Sequence, residues 1–353
     1  MTGTINPLLR WFQSLRIKEN VRFDGWTALL CLPALGSILA YGTLSGNSAA
    51  ASIVGGGALA VGFGSVHAFN GWRPAAMVLA ALGMSLSAFV GSTAGNDEIG
   101  FIAICALWAT ACAIFASIEF GAWWIVLQWS IALFVAGYYP SDPVDALERA
   151  GLVLAGGLFQ IACVTAGWRV FGVARQNVAH HSLRRIRKSL QLVRQGKMPT
   201  VRHAARTAIS VGLAAGIVHW LALPNGYWAP MTAMLVLKPK LRATRTRGLE
   251  RISGTVAGAG LASLISLLAP SGIVLLTLTM AAAWTAYALQ RSQYILFTMA
   301  ITATIVLVLA LNHAPEISTA WNRLLATLLG GGLALCIAFL TNPATYRASH
   351  RHL

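Results

Sequence analysis

Apolar runs of about twenty residues alternate with short polar segments along most of the chain. The runs fall near 26–44, 49–67, 74–92, 99–117, 121–138 and 150–168. After a polar stretch they resume near 205–222, 227–238, 253–269, 272–289, 294–312 and 321–341. A helix rises 1.5 Å per residue, so crossing a hydrocarbon core of roughly 30 Å takes about 20 apolar residues. The pattern predicts an all-α integral membrane protein of about twelve transmembrane helices, six on each side of the polar stretch.

Six is an even number of crossings, so the two halves have the same orientation. The expected architecture is two parallel six-helix repeats related by an axis along the membrane normal. Arg149-Ala-Gly-Leu-Val-Leu-Ala-Gly-Gly at the start of the sixth run resembles Arg323-Leu-Leu-Ala-Thr-Leu-Leu-Gly-Gly at the start of the twelfth, 174 positions later. Arg73 before the third run corresponds to Arg251 before the ninth, 178 positions later. The resulting domains are an N-terminal cytoplasmic or interfacial stretch (1–25), a first repeat (26–170), a short basic cytoplasmic linker (171–204), a second repeat (205–341) and a tail (342–353).

Composition supports the membrane reading. Hydrophobic residues make up 57% of the chain and charged residues 10%, whereas a soluble domain carries about 25% charged residues to face water. The net charge of +16 would suit nucleic acid, but the cations sit between apolar runs, where they set topology. Nucleic acid is therefore not an expected partner. With the N-terminus inside, every Lys and Arg falls on the cytoplasmic side except Arg149 and Arg323, while Asp97, Glu98, Asp142, Asp145, Glu148 and Glu316 fall outside. Both termini are expected in the cytoplasm. The linker carries Leu183, Ile186, Leu190 and Val193 at helical spacing with Arg184, Arg185, Arg187 and Lys188 between them. This reads either as a basic amphipathic helix on anionic lipids or as a solvated connector.

Candidate chemistry concentrates in the second half. Tyr227 to Leu237 gives only about 16 Å of helix, and Pro230 belongs in a first turn or a break. One reading is a broken helix at a transport site, with Tyr227, Trp228, Pro230 and Thr232 beside the substrate. The other is a full helix from Gly226 to Leu241 with Lys238 snorkelling. The basic run from Lys238 to Arg251 is read as an inner loop. It either satisfies the positive-inside rule or forms a vestibule for anions, with Arg251 directly before the span that holds Thr255. Arg149 is expected to pair with Asp145 one turn away. Arg149 and Arg323 together are assigned either to closing the assembly or to guarding an outer exit. His219, near the outer end of its span, is a candidate titrating group.

No nucleophile elbow, Walker loop or zinc motif is visible, and Cys31, Cys105, Cys112, Cys163 and Cys336 lie in apolar runs. No enzyme activity, metal or cofactor is expected. Small-residue faces such as Gly254, Gly258 and Gly260 suit close helix packing and a two-fold homodimer.

Tyr227-Trp228-Ala229-Pro230-x-Thr232, a basic loop, then Arg251-x-x-Gly254-Thr255-x-x-Gly258 resembles the fusaric acid resistance protein-like family, within 225–260. That family belongs with the aromatic acid exporters and is distantly similar to plant malate transporters. The resemblance implies secondary export of aromatic or other organic carboxylic acids across the bacterial inner membrane, proton-coupled and with a membrane-fusion partner. In that reading Tyr227 and Trp228 enclose an aromatic body, and Arg251, with Arg73 in the other half, balances the carboxylate. A passive anion channel and a non-transporting scaffold are the alternatives. The first half departs from the motif, offering Asn47-Ser-Ala-Ala-Ala-Ser52 where the Tyr-Trp signature is expected.

Overall fold

The computed structural model describes residues 23–67, 69–172, scattered positions between 183 and 194, 200–268, 272–311 and 316–341. Nearly all of the N-terminal stretch, the C-terminal tail and half of the linker's amphipathic pattern (Arg185, Lys188, Leu190 and Val193) lie outside the described residues. Each of the twelve apolar runs is helical, and four of the helices begin five to twelve residues before the expected run, at Pro143, Thr200, Leu241 and Glu316. In chain order the helices are α1 (Gly25–Ser45), α2 (Ser48–Gly62), α3 (Ala75–Ala94), α4 (Glu98–Ala116), α5 (Phe120–Gly137) and α6 (Pro143–Val170). They continue with α7 (Thr200–Trp220), α8 (Trp228–Val236), α9 (Leu241–Leu268), α10 (Gly272–Leu289), α11 (Tyr294–Leu311) and α12 (Glu316–Leu340).

Local chemistry sets the helix ends. Asp97 and Asp142 cap α4 and α6, their carboxylates accepting from the N–H groups of Gly100 and of Val144 and Asp145. A capping carboxylate satisfies otherwise orphaned first-turn donors and suits the positive end of the helix dipole. Two of the acids expected on the outer face therefore have structural work. Gly46, at φ +71°, ends α1 in a left-handed turn, a conformation that glycine adopts without steric cost.

Among the described residues nine helices are long and apolar enough to cross a membrane: α1 to α6 and α10 to α12. The chain is a multi-pass membrane protein. The other three helices are α7, which carries Arg202 and Arg206 within it, the short α8, and α9, which carries Arg242, Arg245, Arg247 and Arg251 in its N-terminal part. The run from Lys238 to Arg251, expected as a loop, is helical from Leu241 onward. Arginine is a good helix former, and a reading that equates charge with loop misses this. Arg251 consequently lies about 15 Å along α9 at 1.5 Å per residue rather than at a helix start, and an anion site at that helix N-terminus does not apply to it.

In the first half α2 packs on α6, and α3 packs on both α5 and α6. In the second half α8 packs on α12, and α9 packs on both α11 and α12. The halves meet where α4 packs on α7 and α10 packs on α1. Tyr287 of α10 is buried at that second contact, where its hydroxyl donates to the Leu59 carbonyl at 3.0 Å. Its ring lies 4.6 Å from that of Phe63, which also meets Phe297 edge-on at 5.5 Å. Glycines set the closest approaches. A Cβ on Gly156 would fall 1.9 Å from the Val54 carbonyl oxygen, and one on Gly330 would fall 2.1 Å from that of Ala229.

Candidate functional site

The site is built around α8. At nine residues this helix is about 14 Å long, less than half of a roughly 30 Å core. Pro230 sits in its first turn, where the N–H it lacks has no intrahelical acceptor to lose. The helix stops at Leu237, which is extended at ψ 122°. Pro239 disfavours helical backbone at Lys238 before it. Thr244 closes the break: its hydroxyl accepts from the Lys238 N–H at 3.0 Å and lies 3.2 Å from the Lys238 carbonyl. Of the two readings of this segment, the interrupted helix is the one observed.

The entry to α8 is a turn with two left-handed residues, Ala222 (φ +47°) and Asn225 (φ +55°). The Tyr139 hydroxyl, from the α5–α6 connection, donates to the Asn225 side-chain oxygen at 3.1 Å. The rings of Tyr138 and Tyr139 lie 5.7 and 6.3 Å from Tyr227, which lies 4.9 Å from Trp228. The first half thus supplies two rings to the cover over the start of a second-half helix.

Beneath that cover, the Arg323 guanidinium of α12 lies over the Trp228 ring at 3.7 Å and donates to the Thr302 hydroxyl of α11 at 3.1 Å. Arg323 is 2% exposed and Arg251 4%. Arg251 and Arg323 rise from α9 and α12, which pack on each other. Among the described residues neither guanidinium has a carboxylate within 4.0 Å. Several buried polar atoms here lack a protein partner: Arg251 Nε, Arg323 Nε and Nη1, and the hydroxyls of Thr232, Thr255 and Thr298. Elsewhere Thr207, Thr279 and Thr304 spend their hydroxyls on the carbonyl one turn back, so the three unbonded ones are distinctive. Thr232 shares a helix face with Trp228, and Thr255 with Arg251, each one turn apart. Gly254 and Gly258 let α9 close on α11, since a Cβ there would meet the Ile295 and Met299 carbonyls at 2.7 and 2.3 Å.

Tyr227, Trp228, Thr232, Arg251, Thr255 and Arg323 therefore belong to neighbouring helices of one buried region. Arg323, assigned from sequence to the outer end, is one of its central cations. Thr298 and Thr302 were not foreseen; the one sequence signal was an Arg323 with no acid three or four residues away. Lys238 faces elsewhere, with its ammonium 5.7 Å from the Trp123 ring of α5. Arg73 is not brought to this site, because its guanidinium stacks at 3.7 Å on Trp168 at the far end of α6. Arg149 holds the α5–α6 connection rather than pairing with Asp145, donating to Ser92 and to the Tyr139 carbonyl. His219 sits 3.8 Å from Glu98, both about half exposed. His67, just past α2, is packed against the rings of Phe120 and Trp124. Burial, then the charge of Arg291, push its imidazole down to about 3, so it stays neutral over the physiological range.

Residues 213–337, which contain this region, match the family model described as fusaric acid resistance protein-like. An uncharacterized protein of Haemophilus influenzae (strain ATCC 51907 / DSM 11121 / KW20 / Rd) is 32% identical over 141 residues, 38% of this chain and 19% of that protein. An uncharacterized protein of Neisseria gonorrhoeae is 32% identical over 133 residues, 38% of this chain and 32% of that protein. The inner membrane protein YccS of Escherichia coli (strain K12) is 30% identical over 134 residues, 38% of this chain and 18% of that protein. The alignments thus span only about a fifth to a third of these relatives' lengths. No solved structure matches the chain.

Proposed function

We propose, with the second half placed by its match among fusaric acid resistance-like proteins, that the chain is a bacterial inner-membrane secondary transporter exporting organic carboxylic acids. The observation that carries this is the pair of buried guanidiniums, Arg251 and Arg323, without a carboxylate beside them among the described residues. An intramembrane cation is costly unless compensated. Donors left without partners in the same region add to that cost. An anion bound between α8, α9, α11 and α12 would offset both, and the ring of Trp228, buried in the same region, suits a flat apolar body.

The reading includes a two-fold relation between the halves. Its support is that α2, α3, α5 and α6 pack among themselves as α8, α9, α11 and α12 do, and that Gly156 against Val54 parallels Gly330 against Ala229. At the offset of the Arg149–Arg323 pair, the first-half counterparts of Trp228 and Thr232 are Val54 and Ala58. The anion route would then lie in the second half alone, with the first half as its packing partner.

Flux tests the proposal. Proteoliposomes loaded with an aromatic carboxylate should show efflux driven by an imposed proton gradient, and Arg251→Ala should reduce it by about tenfold or more. Flux that ignores the proton gradient at matched membrane potential would identify a passive channel. No flux for a panel of acids would leave a non-transporting scaffold. Orientation is tested separately. Alkaline phosphatase fused after Asn96 should be active, as expected outside, and fused after Gly172 inactive; the reverse would invert the topology.

A further inference from the structure

We infer that the site takes a ligand with two separated negative groups, a dicarboxylate on a flat apolar body, in preference to a monocarboxylate. This rests on the reading of the region as an anion site and deepens it.

The argument is one of charge balance in a closed place. Arg251 rises from α9 and Arg323 from α12, and these two helices pack on each other and share α11 as a neighbour. Each guanidinium is almost wholly buried. Like charges in a poorly solvated interior repel each other, and each is stabilised by an opposite charge at short range. A monocarboxylate neutralises one guanidinium and leaves the other buried with a net charge. A dicarboxylate neutralises both.

The remaining donors fit the same division. Thr255 stands one turn from Arg251 on α9, so a hydroxyl and a guanidinium face one end of the region together. Arg323 keeps Nε and Nη1 without a protein partner after giving one bond to Thr302, and Thr232 shares the Trp228 face beside it. Each cation therefore comes with a hydroxyl one turn along its own helix or on the helix packed against it, and the two cations sit on different helices. A charged hydrogen bond is stronger than a neutral one, so losing either end is expected to weaken binding measurably.

The test uses the full chain in lipid nanodiscs, with benzoate and terephthalate as probes. They share a ring and differ in the number of carboxylates. At pH 7.5 and fixed ionic strength, calorimetry is expected to give terephthalate an affinity greater by about tenfold or more. Arg251→Gln should bring the two ligands to within about threefold of each other while benzoate still binds, and Arg251→Lys should keep the wild-type preference. Equal affinities in the wild type, or a preference unchanged in Arg251→Gln, would overturn the two-charge inference and leave the anion-site reading standing. Binding of neither probe would remove both.

Discussion

Arg323→Met is expected to raise the melting temperature of the ligand-free protein by a few degrees while lowering organic-anion flux by about a hundredfold. The two effects have one origin. Removing a guanidinium that is 2% exposed and has no carboxylate beside it among the described residues relieves a desolvation penalty of several kcal/mol. Against this stand the lost contact with Trp228, worth roughly 2 kcal/mol when desolvated, and the lost hydrogen bond to Thr302, roughly 1.5–3 kcal/mol. Methionine fills much of the vacated volume without a polar group, and the two Nε and Nη1 donors that had no protein partner vanish with the guanidinium. The balance is a modest stabilisation, since buried charges replaced by apolar residues of similar size are often neutral to about 4 kcal/mol more stable. Differential scanning calorimetry with and without a dicarboxylate separates the cases. The wild type should gain stability on adding ligand and the variant should not. A melting temperature that falls in the variant would show that Arg323 is a structural brace, not a cation held for a ligand.

The second large effect comes from the three consecutive glycines of α12. Gly330→Ala places a methyl 2.1 Å from the Ala229 carbonyl oxygen, whereas a Cβ on Gly331 or Gly332 meets nothing within 4 Å. A backbone carbonyl cannot rotate aside as a flexible side chain does, so α8 has to move off α12. Overpacking of this kind costs about 1–3 kcal/mol, and the displaced helix carries Trp228 away from Arg323. Gly331→Ala and Gly332→Ala should instead stabilise, each by up to about 1 kcal/mol, from helix propensity alone. Adjacent substitutions of the same kind should therefore shift the melting temperature in opposite directions, with transport lost only for Gly330→Ala. Three alike responses would mean that the α8–α12 contact is slack.

Much of this arrangement was legible in the residues. The twelve apolar runs mark twelve helices, and for the nine that are long and apolar enough to cross a membrane among the described residues the length of a crossing is what composition reveals directly. The shortness of Tyr227 to Leu237 and the proline at Pro230 marked the broken helix. Depth was harder to read. Arg251 was placed at the inner mouth because it follows a cationic run, but that run is helix, and the charge rule says where most cations go rather than where one buried cation goes. Arg323 looked like an outer-end residue because hydropathy begins its span near Trp321, whereas α12 starts at Glu316 and carries the arginine inward. Arg73 was matched to Arg251 by position alone; its stacking on Trp168 depends on how α3 meets α6, which no periodicity encodes. Thr298 and Thr302 are silent in the sequence because threonine inside an apolar helix normally bonds its own backbone, and only the fold shows which one does not.

If the proposed anion site holds, the burial of the two arginines would also make it sensitive to voltage. Arg251 lies about 15 Å along its helix and Arg323 about 10 Å along the neighbouring one, so an anion arriving from the cytoplasm would cross part of the transmembrane field before it is bound. A full crossing is worth about 2.3 kcal/mol per charge for each 100 mV. Half of that drop, doubled for a dianion, returns roughly the same figure for the binding step alone. A negative interior would push such a ligand outward from the moment it enters, so the resting potential by itself would favour export, and the apparent affinity measured from inside would strengthen as the membrane hyperpolarises.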